Sequence, residues 1–359
     1  MLLSTKRRLA LAAAALAALG VALAIPASAA VSNAYTVHPL VSDVVGATPT
    51  HDPNLVNAWG LVAGPPSFPT PSWVADNGTD KSTLYDGNTG AIVPLVVTVE
   101  NAPTGIVFHD SNADPNNFVL GTGGAARFIF ATETGLVRGW NSSSTTAQLA
   151  LDRSNVDAIY KGLAIADTAN GPRLYAADFH NARIDVIDGS WNVVPNSGFS
   201  DPTLPAGYGP FGIQAIGSRI FVTYAKQDAD AEDEVAGQGL GFVDAYDTSG
   251  NLLGRVAQHG QLNAPWGMAL APASFGRFGG DLLVGNFGDG QIDAYVELSR
   301  GHFEHRGELQ STSGKSLTID GLWALEFGNG GAAGPTDRLF FTAGPDDESH
   351  GLFGSITPG

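Results

Sequence analysis

The chain has 359 residues, with 46 Gly, 21 Pro and no Cys, and its 35 acidic against 18 basic residues give a formal net charge of −17. Gly at this density excludes a helical bundle, because each interior Gly destabilises a helix by about 0.5–1 kcal/mol relative to Ala. The negative charge argues against nucleic acid as a partner, since such binding depends on neutralising phosphates. With 43% hydrophobic residues, the chain can still bury a core. We therefore expect a folded, turn-rich protein without disulfides.

Residues 1–29 have the organisation of a Sec-type signal peptide. A basic stretch at 6–8 precedes an apolar run at 9–25, and the cleavage pattern Ala27-Ser28-Ala29 follows. The alternatives are a retained membrane anchor and, from Arg7-Arg8, the twin-arginine route. No later stretch reaches the ~18 apolar residues that a membrane span needs. We expect a secreted monomer, extracellular or periplasmic and free of the membrane after signal removal, in which residues 30–359 form one domain.

A short motif recurs along the chain at intervals of 45 to 57 residues. In it, an aromatic or polar residue precedes Gly and a run of apolar residues. The six copies begin at Trp59-Gly60, Thr104-Gly105, Lys161-Gly162, Phe211-Gly212, Trp266-Gly267 and Trp323-Ala324, the last with Ala in place of Gly. This periodicity indicates six equivalent units, each opening with a buried strand.

Further strands follow each copy of the motif. The second ends in a small residue, as in Trp73-Val74-Ala75-Asp76, and the third alternates with period two, as in residues 182–188 and 241–247. A more variable fourth strand follows in most units, for example at 91–99 and 252–257. Four short strands repeated six times predict an all-β fold, a six-bladed β-propeller.

The ends of the chain predict how the ring closes. The last unit stops at its third strand, residues 351–356, and lacks a fourth. The segment from Tyr35 to Val45 precedes the first unit and can supply the missing strand beside Ile356. An N-terminal strand is therefore expected to complete the last blade.

Several segments resemble a known propeller family. Residues 173–186 resemble an NHL repeat, and the segments 54–60, 127–133, 224–230 and 263–290 are similar to an uncharacterised family of secreted bacterial NHL-like propellers. The resemblance covers nearly the whole mature chain. Some members of that family carry a Pro-Glu-Pro sorting tail, which this chain lacks, so sorting to the surface by that route is not expected. The resemblance implies a fold and an exported protein, and it supplies no catalytic residues.

The mouth of the axial channel is the expected binding site, because loops from all six blades converge there. The residues that open the inner strands should provide stackable rings and polar groups for a carbohydrate or another small organic molecule. Alternatively, the rings plug the channel as core. The predicted ligand-binding residues are Asn57, Trp59, Lys161, Phe211, Lys226, Trp266 and Trp323.

Oxygen-bearing side chains follow three of the second strands. Asp76, Asp178 and Asn286 occupy equivalent positions, and their oxygens suit Ca²⁺ or another divalent cation held on the axis. Their alternative role is to cap the turns that follow. His180, two residues after Asp178, is the candidate general acid or base, and its alternative is an exposed loop residue. The sequence contains no motif for an organic cofactor.

The segment from Asp228 to Glu234 holds five acids in seven residues, within an insertion of the fourth unit. It is either a solvated, mobile loop or a cation-binding lid beside the mouth, with Lys226 anchoring a substrate carboxylate. Two functions stay open at this point. The first is a secreted protein that binds an extracellular small molecule or glycan at the mouth, and the second is a divalent-cation-dependent enzyme of the lactonase or lyase type.

Overall fold

The structure is a computed structural model, and it describes residues 32–195 and 198–359. Its strands form six small sheets arranged as the blades of a propeller, so the predicted six-bladed fold is confirmed. The predicted signal peptide lies outside the described residues. No helix in the described part of the chain is long and apolar enough to cross a membrane.

The described chain begins with β1 (Tyr35–Ser42) and β2 (Thr50–His51), which belong to the last blade. The first three blades then follow in chain order, each built outward from an inner strand at the axis. Blade 1 contains β3 (Ala58–Val62), β4 (Ser72–Asp76), β5 (Lys81–Tyr85) and β6 (Val97–Thr98); blade 2 contains β7 (Pro103–Phe108), β8 (Phe128–Thr132), β9 (Leu136–Trp140) and β10 (Gln148–Asp152); blade 3 contains β11 (Tyr160–Thr168), β12 (Gly171–Asp178) and β13 (Arg183–Asp188).

The remaining three blades repeat this order. Blade 4 contains β14 (Tyr208–Ile216), β15 (Arg219–Lys226), β16 (Gly241–Asp247) and β17 (Leu252–Gln258); blade 5 contains β18 (Pro265–Leu270), β19 (Leu282–Asn286), β20 (Ile292–Ser299) and β21 (His302–Glu308); blade 6 contains β22 (Leu322–Phe327), β23 (Leu339–Ala343) and β24 (Leu352–Pro358). Short 3₁₀ turns lie at Asn77–Thr79, Ser154–Val156 and Gly276–Phe278.

The ring closes as the sequence predicts. The N-terminal strand β1 pairs antiparallel with β24, from Tyr35 opposite Pro358 to Ser42 opposite Leu352. It thereby supplies the fourth strand of blade 6, and β2 pairs parallel to it at the outer edge. Because hydrogen bonds rather than a disulfide hold the two segments together, closure depends on backbone pairing and on the buried side chain of Val41.

The recurring Gly has a steric cause that the structure makes visible. Each inner strand shifts its register at the motif, as between Ala58 and Leu61 in β3, so a β-bulge lies there. A Cβ placed on Gly212 would lie 2.0 Å from the carbonyl oxygen of Trp266 in the next blade, and one on Gly60 would lie 2.4 Å from that of Thr104. The motif therefore lets neighbouring inner strands touch through their backbones.

The core of the described residues lies between the blades. Six clusters of buried side chains fill the spaces between adjacent sheets, and one of them also occupies the axis. Small residues near the ends of the second strands fit this packing. Thr342, for example, donates a hydrogen bond from β23 to the carbonyl oxygen of Trp59, which ties blade 6 to blade 1. Each blade is thus held by its neighbours.

Candidate functional site at the channel mouth

The mouth is the face of the ring on which the inner strands begin. The four aromatic residues predicted there do come together on the axis. The ring centroids of Trp59 and Trp323 are 3.6 Å apart in a stacked pair, Trp266 meets both edge-on, and Phe211 lies 5.8 Å from Trp323. Phe287 stacks on Trp323 as well, at 4.1 Å. We call these five side chains the aromatic layer.

Four of the five side chains in the aromatic layer are buried, and the fifth, Phe287, is half-buried. Trp266 is the most exposed of the three Trp side chains, at 8%, and Trp323 is fully buried. Two of the indole N–H groups are also used internally, because Trp323 donates to Asn57 Oδ1 and Trp266 donates to the carbonyl oxygen of Lys161. The layer therefore plugs the channel, and stacking of a ligand on these rings requires the side chains above them to move.

Lys161 takes the place in blade 3 that a Trp occupies in blades 1, 5 and 6. Its side chain is 2% exposed, and Nζ lies 5.2 Å from the ring centroid of Trp59. The ammonium donates to Glu133 Oε1 at 2.6 Å and to Asp233 Oδ1 at 3.0 Å. Burial alone would lower the pKa of Lys161, but the carboxylates of Glu133, Asp233 and Glu234 together outweigh this effect, and the pKa is raised. The buried ammonium therefore stays charged.

A chain of hydrogen bonds continues from Lys161 around the mouth. Asn77 Nδ2 donates to the second oxygen of Glu133 at 3.0 Å, and Asn57 Nδ2 donates both to Asn77 Oδ1 and to Glu348 Oε2. These residues come from blades 6, 1, 2 and 3, and Asp233 adds blade 4. Five of the six blades thus contribute to one polar network directly above the aromatic layer.

Carboxylates outnumber the single buried ammonium in this network. Glu133, Asp233, Glu234 and Glu348 surround Lys161, and burial keeps two of them from ionising at their usual pH. Burial raises the pKa of Glu234 to about 7, against the opposing effect of Lys161. Burial likewise raises the pKa of Glu348. Even so, the mouth gathers four acidic side chains around one basic side chain.

A strained turn places Glu348 in the network. Asp346, Asp347 and Glu348 have φ values of 58°, 50° and 62°, so three consecutive non-glycine residues lie in the left-handed region. Such conformations cost about 1–2 kcal/mol per residue and concentrate at functional sites. The turn lies between β23 and β24, where the chain returns from the mouth.

The acidic insertion reaches the mouth, where it contacts Lys161 and His180, and its role as a cation-binding lid stays a prediction. The insertion forms a short hairpin directly after β15. In this hairpin Gln227 pairs with Glu234, and Val235 N donates to the carbonyl oxygen of Lys226. Asp233 reaches Lys161 from this hairpin. Lys226 itself lies over the ring of Tyr208, with Nζ 5.5 Å from the ring centroid.

The predicted catalytic residues have separate partners. His180 is half-buried and its Nδ1 lies 3.3 Å from the carbonyl oxygen of Ala231 in the hairpin. Asp178 is buried and accepts hydrogen bonds from Asn181, while Arg183 lies 3.1 Å away. Asp178 therefore caps its own turn, which was the alternative role. A catalytic function for either residue stays a prediction.

Each of the three predicted metal ligands is hydrogen-bonded to a residue of its own blade. Asp76 accepts from Thr83 in blade 1, Asp178 is engaged in blade 3, and Asn286 donates to Asp293 in blade 5. Across residues 32–195 and 198–359, no group of three or more His, Asp or Glu side chains is arranged to hold a metal ion. Binding of Ca²⁺ or another divalent cation on the axis stays a prediction.

The fold and the polar mouth define a six-bladed β-propeller with a plugged axis, and comparison with known proteins assigns it to a family. The chain is 33% identical over 340 residues to the uncharacterised protein R648 of Acanthamoeba polyphaga mimivirus, covering 90% of this chain and 80% of that protein. It is also 32% identical over 330 residues to a second uncharacterised protein of the same virus, L690, and the alignment covers 85% of this chain and 81% of L690. The chain therefore belongs to the family of these mimivirus proteins.

This assignment corrects one expectation from the sequence. The expected family of secreted bacterial NHL-like propellers is wrong, because the relatives that establish the family are proteins of a giant virus. No family model matches the chain. The segments 173–186 and 263–290, on which the resemblance rested, are blade strands and their turns. They therefore carried information about the fold rather than about ancestry.

Solved structures support the fold alone. A protein of unknown function from Bacteroides thetaiotaomicron superposes with a TM-score of 0.55 at 11% identity, covering 90% of this chain and 76% of that chain. A glucose dehydrogenase superposes with a TM-score of 0.49 at 12% identity, covering 90% of this chain and 99% of that chain. The second likeness is too distant to bear on function.

Proposed function

We propose that the protein binds a small polar molecule at the mouth, in the network centred on Lys161, and that the ligand carries several hydroxyl groups or an amino group. An amino sugar has this chemistry. The carboxylates of Glu133 and Glu348 offer acceptors for hydroxyl groups and for an amino group. The excess of carboxylates favours a cationic or neutral ligand over an anionic one. Because residues 1–29 are predicted to be a signal peptide, we expect the protein to bind this ligand outside the cell.

The observation that carries this proposal is the strained turn at Asp346–Glu348. A turn of three left-handed residues is unfavourable, and a merely structural loop could be built without it. Here it brings a carboxylate to Asn57, whose Nδ2 donates to Glu348 while its Oδ1 accepts from Trp323. Rigid support of this kind is what a binding site needs, since a preorganised group loses little entropy when the ligand arrives.

Three sugars of equal size but different charge test the proposal. We expect isothermal titration calorimetry to rank glucosamine above glucose and glucose above glucuronate. Glu348→Gln should weaken the binding of glucosamine about tenfold, which corresponds to ~1.4 kcal/mol for the loss of one charge-assisted contact. Glu297→Gln is the matched control, because Glu297 pairs with Arg219 at 2.6 Å far out on blade 5 and loses the same charge.

The outcome that contradicts the proposal is equally specific. If none of the three sugars binds with a Kd tighter than about 10 mM, or if Glu297→Gln weakens glucosamine as much as Glu348→Gln does, the mouth is not the site. Repeating the titration after EDTA and then with Ca²⁺ addresses the metal-dependent lactonase or lyase alternative. That alternative gains if binding is lost with EDTA and restored by Ca²⁺.

A further inference from the structure

The end of the axis opposite the mouth is hollow. A cavity of about 310 Å³ lies where the inner strands of blades 1 to 4 end, and this volume is at the lower end of the range for small-molecule sites. Most of the side chains around it are aliphatic. Those that matter here are Leu61, Val62, Ile106, Leu163, Gln214 and Ala215.

The cavity continues along the axis toward the aromatic layer. A narrower, enclosed space of about 20 Å³ shares Leu61, Ile106, Leu163 and Gln214 with it, and Trp266 bounds this space as well. A space of that volume holds about one water molecule. The axis is thus closed at the mouth by aromatic side chains and open at the other end, so the two ends are chemically separate.

Gln214 breaks the aliphatic pattern of the cavity wall. At the equivalent position the neighbouring inner strands carry Val62, Val107 and Ala164. The Gln214 side chain is exposed, and within the part of the chain that the structure describes its amide makes no hydrogen bond to another residue. An amide with both a donor and an acceptor free therefore lies beside an aliphatic wall.

A second polar group lies near the cavity without adding a charge at neutral pH. Glu326 Oε1 accepts from Ala63 N at 3.1 Å, and Ala63 is part of the cavity wall. Burial raises the pKa of Glu326 to about 8, so the carboxyl is mostly protonated at pH 7. An uncharged site of this kind disfavours an ionised ligand, because burying an unpaired charge is costly.

We propose that this cavity is a second binding site, which takes a small, uncharged, largely apolar molecule whose carbonyl or hydroxyl group hydrogen-bonds to Gln214. The aliphatic wall supplies most of the binding, and the amide orients the ligand. The site is independent of the network at Lys161, because the aromatic layer lies between them.

Cyclohexanone is a suitable probe, and cyclohexanecarboxylate is its ionised counterpart. We expect NMR titration to shift the methyl signals of Ile106 and Leu163 saturably with cyclohexanone, with a Kd of about 1 mM, as befits seven heavy atoms. The carboxylate should bind at least about tenfold more weakly. Gln214→Leu should weaken the binding of cyclohexanone about two- to tenfold, because one hydrogen bond is lost. Ala215→Trp should abolish binding, because the larger side chain fills the cavity.

Two results would overturn this proposal. One is the absence of saturable shifts at Ile106 and Leu163 up to about 10 mM cyclohexanone. The other is binding that survives both Gln214→Leu and Ala215→Trp unchanged. Gln214 is exposed, so Gln214→Leu keeps the test decisive if Ala215→Trp does not fold. Glu348→Gln should leave cyclohexanone binding unchanged, which separates this site from the mouth.

Discussion

The two carboxylates that hold Lys161 differ in their exposure, so removing each should have a different effect on stability. Glu133 is 29% exposed and Asp233 is 72% exposed, while the Lys161 side chain between them is 2% exposed. Breaking a buried ion pair costs about 3–5 kcal/mol, and an exposed pair contributes about 0–1 kcal/mol. Because Glu133 is partly exposed, we expect Glu133→Gln to lower the free energy of unfolding by about 2–3 kcal/mol. Asp233→Asn should lower it by less than about 1 kcal/mol.

The assay is a double-mutant cycle with Lys161→Met, measured by urea unfolding and checked by thermal melting. In the Lys161→Met background the ammonium is gone, so Glu133→Gln should no longer lower the free energy of unfolding, because the carboxylate no longer compensates a buried charge. An interaction energy near zero between Lys161 and Glu133 would refute the reasoning. So would a cost for Asp233→Asn that equals or exceeds that of Glu133→Gln.

Three further predictions concern stability away from the mouth. Because the folded pKa of Glu326 lies near 8, above its ordinary value of 4.5, the folded state binds more protons. As the pH rises from 5 toward 8, the free energy of unfolding of the wild type should therefore fall by up to about 1.4 kcal/mol per pH unit relative to that of Glu326→Gln. A difference between the two proteins in urea unfolding that does not change with pH would contradict this. Gly212→Ala should lower the free energy of unfolding by about 1–3 kcal/mol, because the new methyl group is forced against Trp266. Gly121→Ala, which has open space around it, should change that free energy by less than about 0.5 kcal/mol. Equal melting temperatures for the two variants would refute the steric argument. Val41→Asp should lower the melting temperature and expose the closing strand to limited proteolysis, and an unchanged digestion pattern would show that ring closure does not depend on this side chain.

Most of the fold could be predicted from the sequence because each blade repeats the same local pattern. The motif at Trp59-Gly60 and its copies located all six inner strands, and the unpaired segment from Tyr35 located the closing strand. Lengths of outer strands were less well determined. The predicted fourth strand at 91–99 shrinks to Val97–Thr98 in the structure, since an edge strand is held by one neighbour only.

The site was less predictable, since it depends on contacts between blades. The sequence placed Trp59 and Trp323 at the mouth, but their depth depends on how closely six inner strands approach one another. Nothing in the sequence indicated Glu348, because its position follows from three consecutive left-handed residues, an arrangement found nowhere else in the described part of the chain. The partners of Lys161 come from blades 2 and 4, and no spacing within one repeat relates them.

Pairing of β1 with β24 also constrains the order of events during synthesis. Strand β1 is synthesised long before its partner β24, and the contact between them spans nearly the whole described chain. Contacts of such high sequence separation form slowly, and β1 meanwhile exposes an unpaired edge. Blades 1 to 5 can assemble as they emerge, but blade 6 cannot. We therefore expect ring closure to be the last folding step and the stage at which the chain is most prone to aggregate.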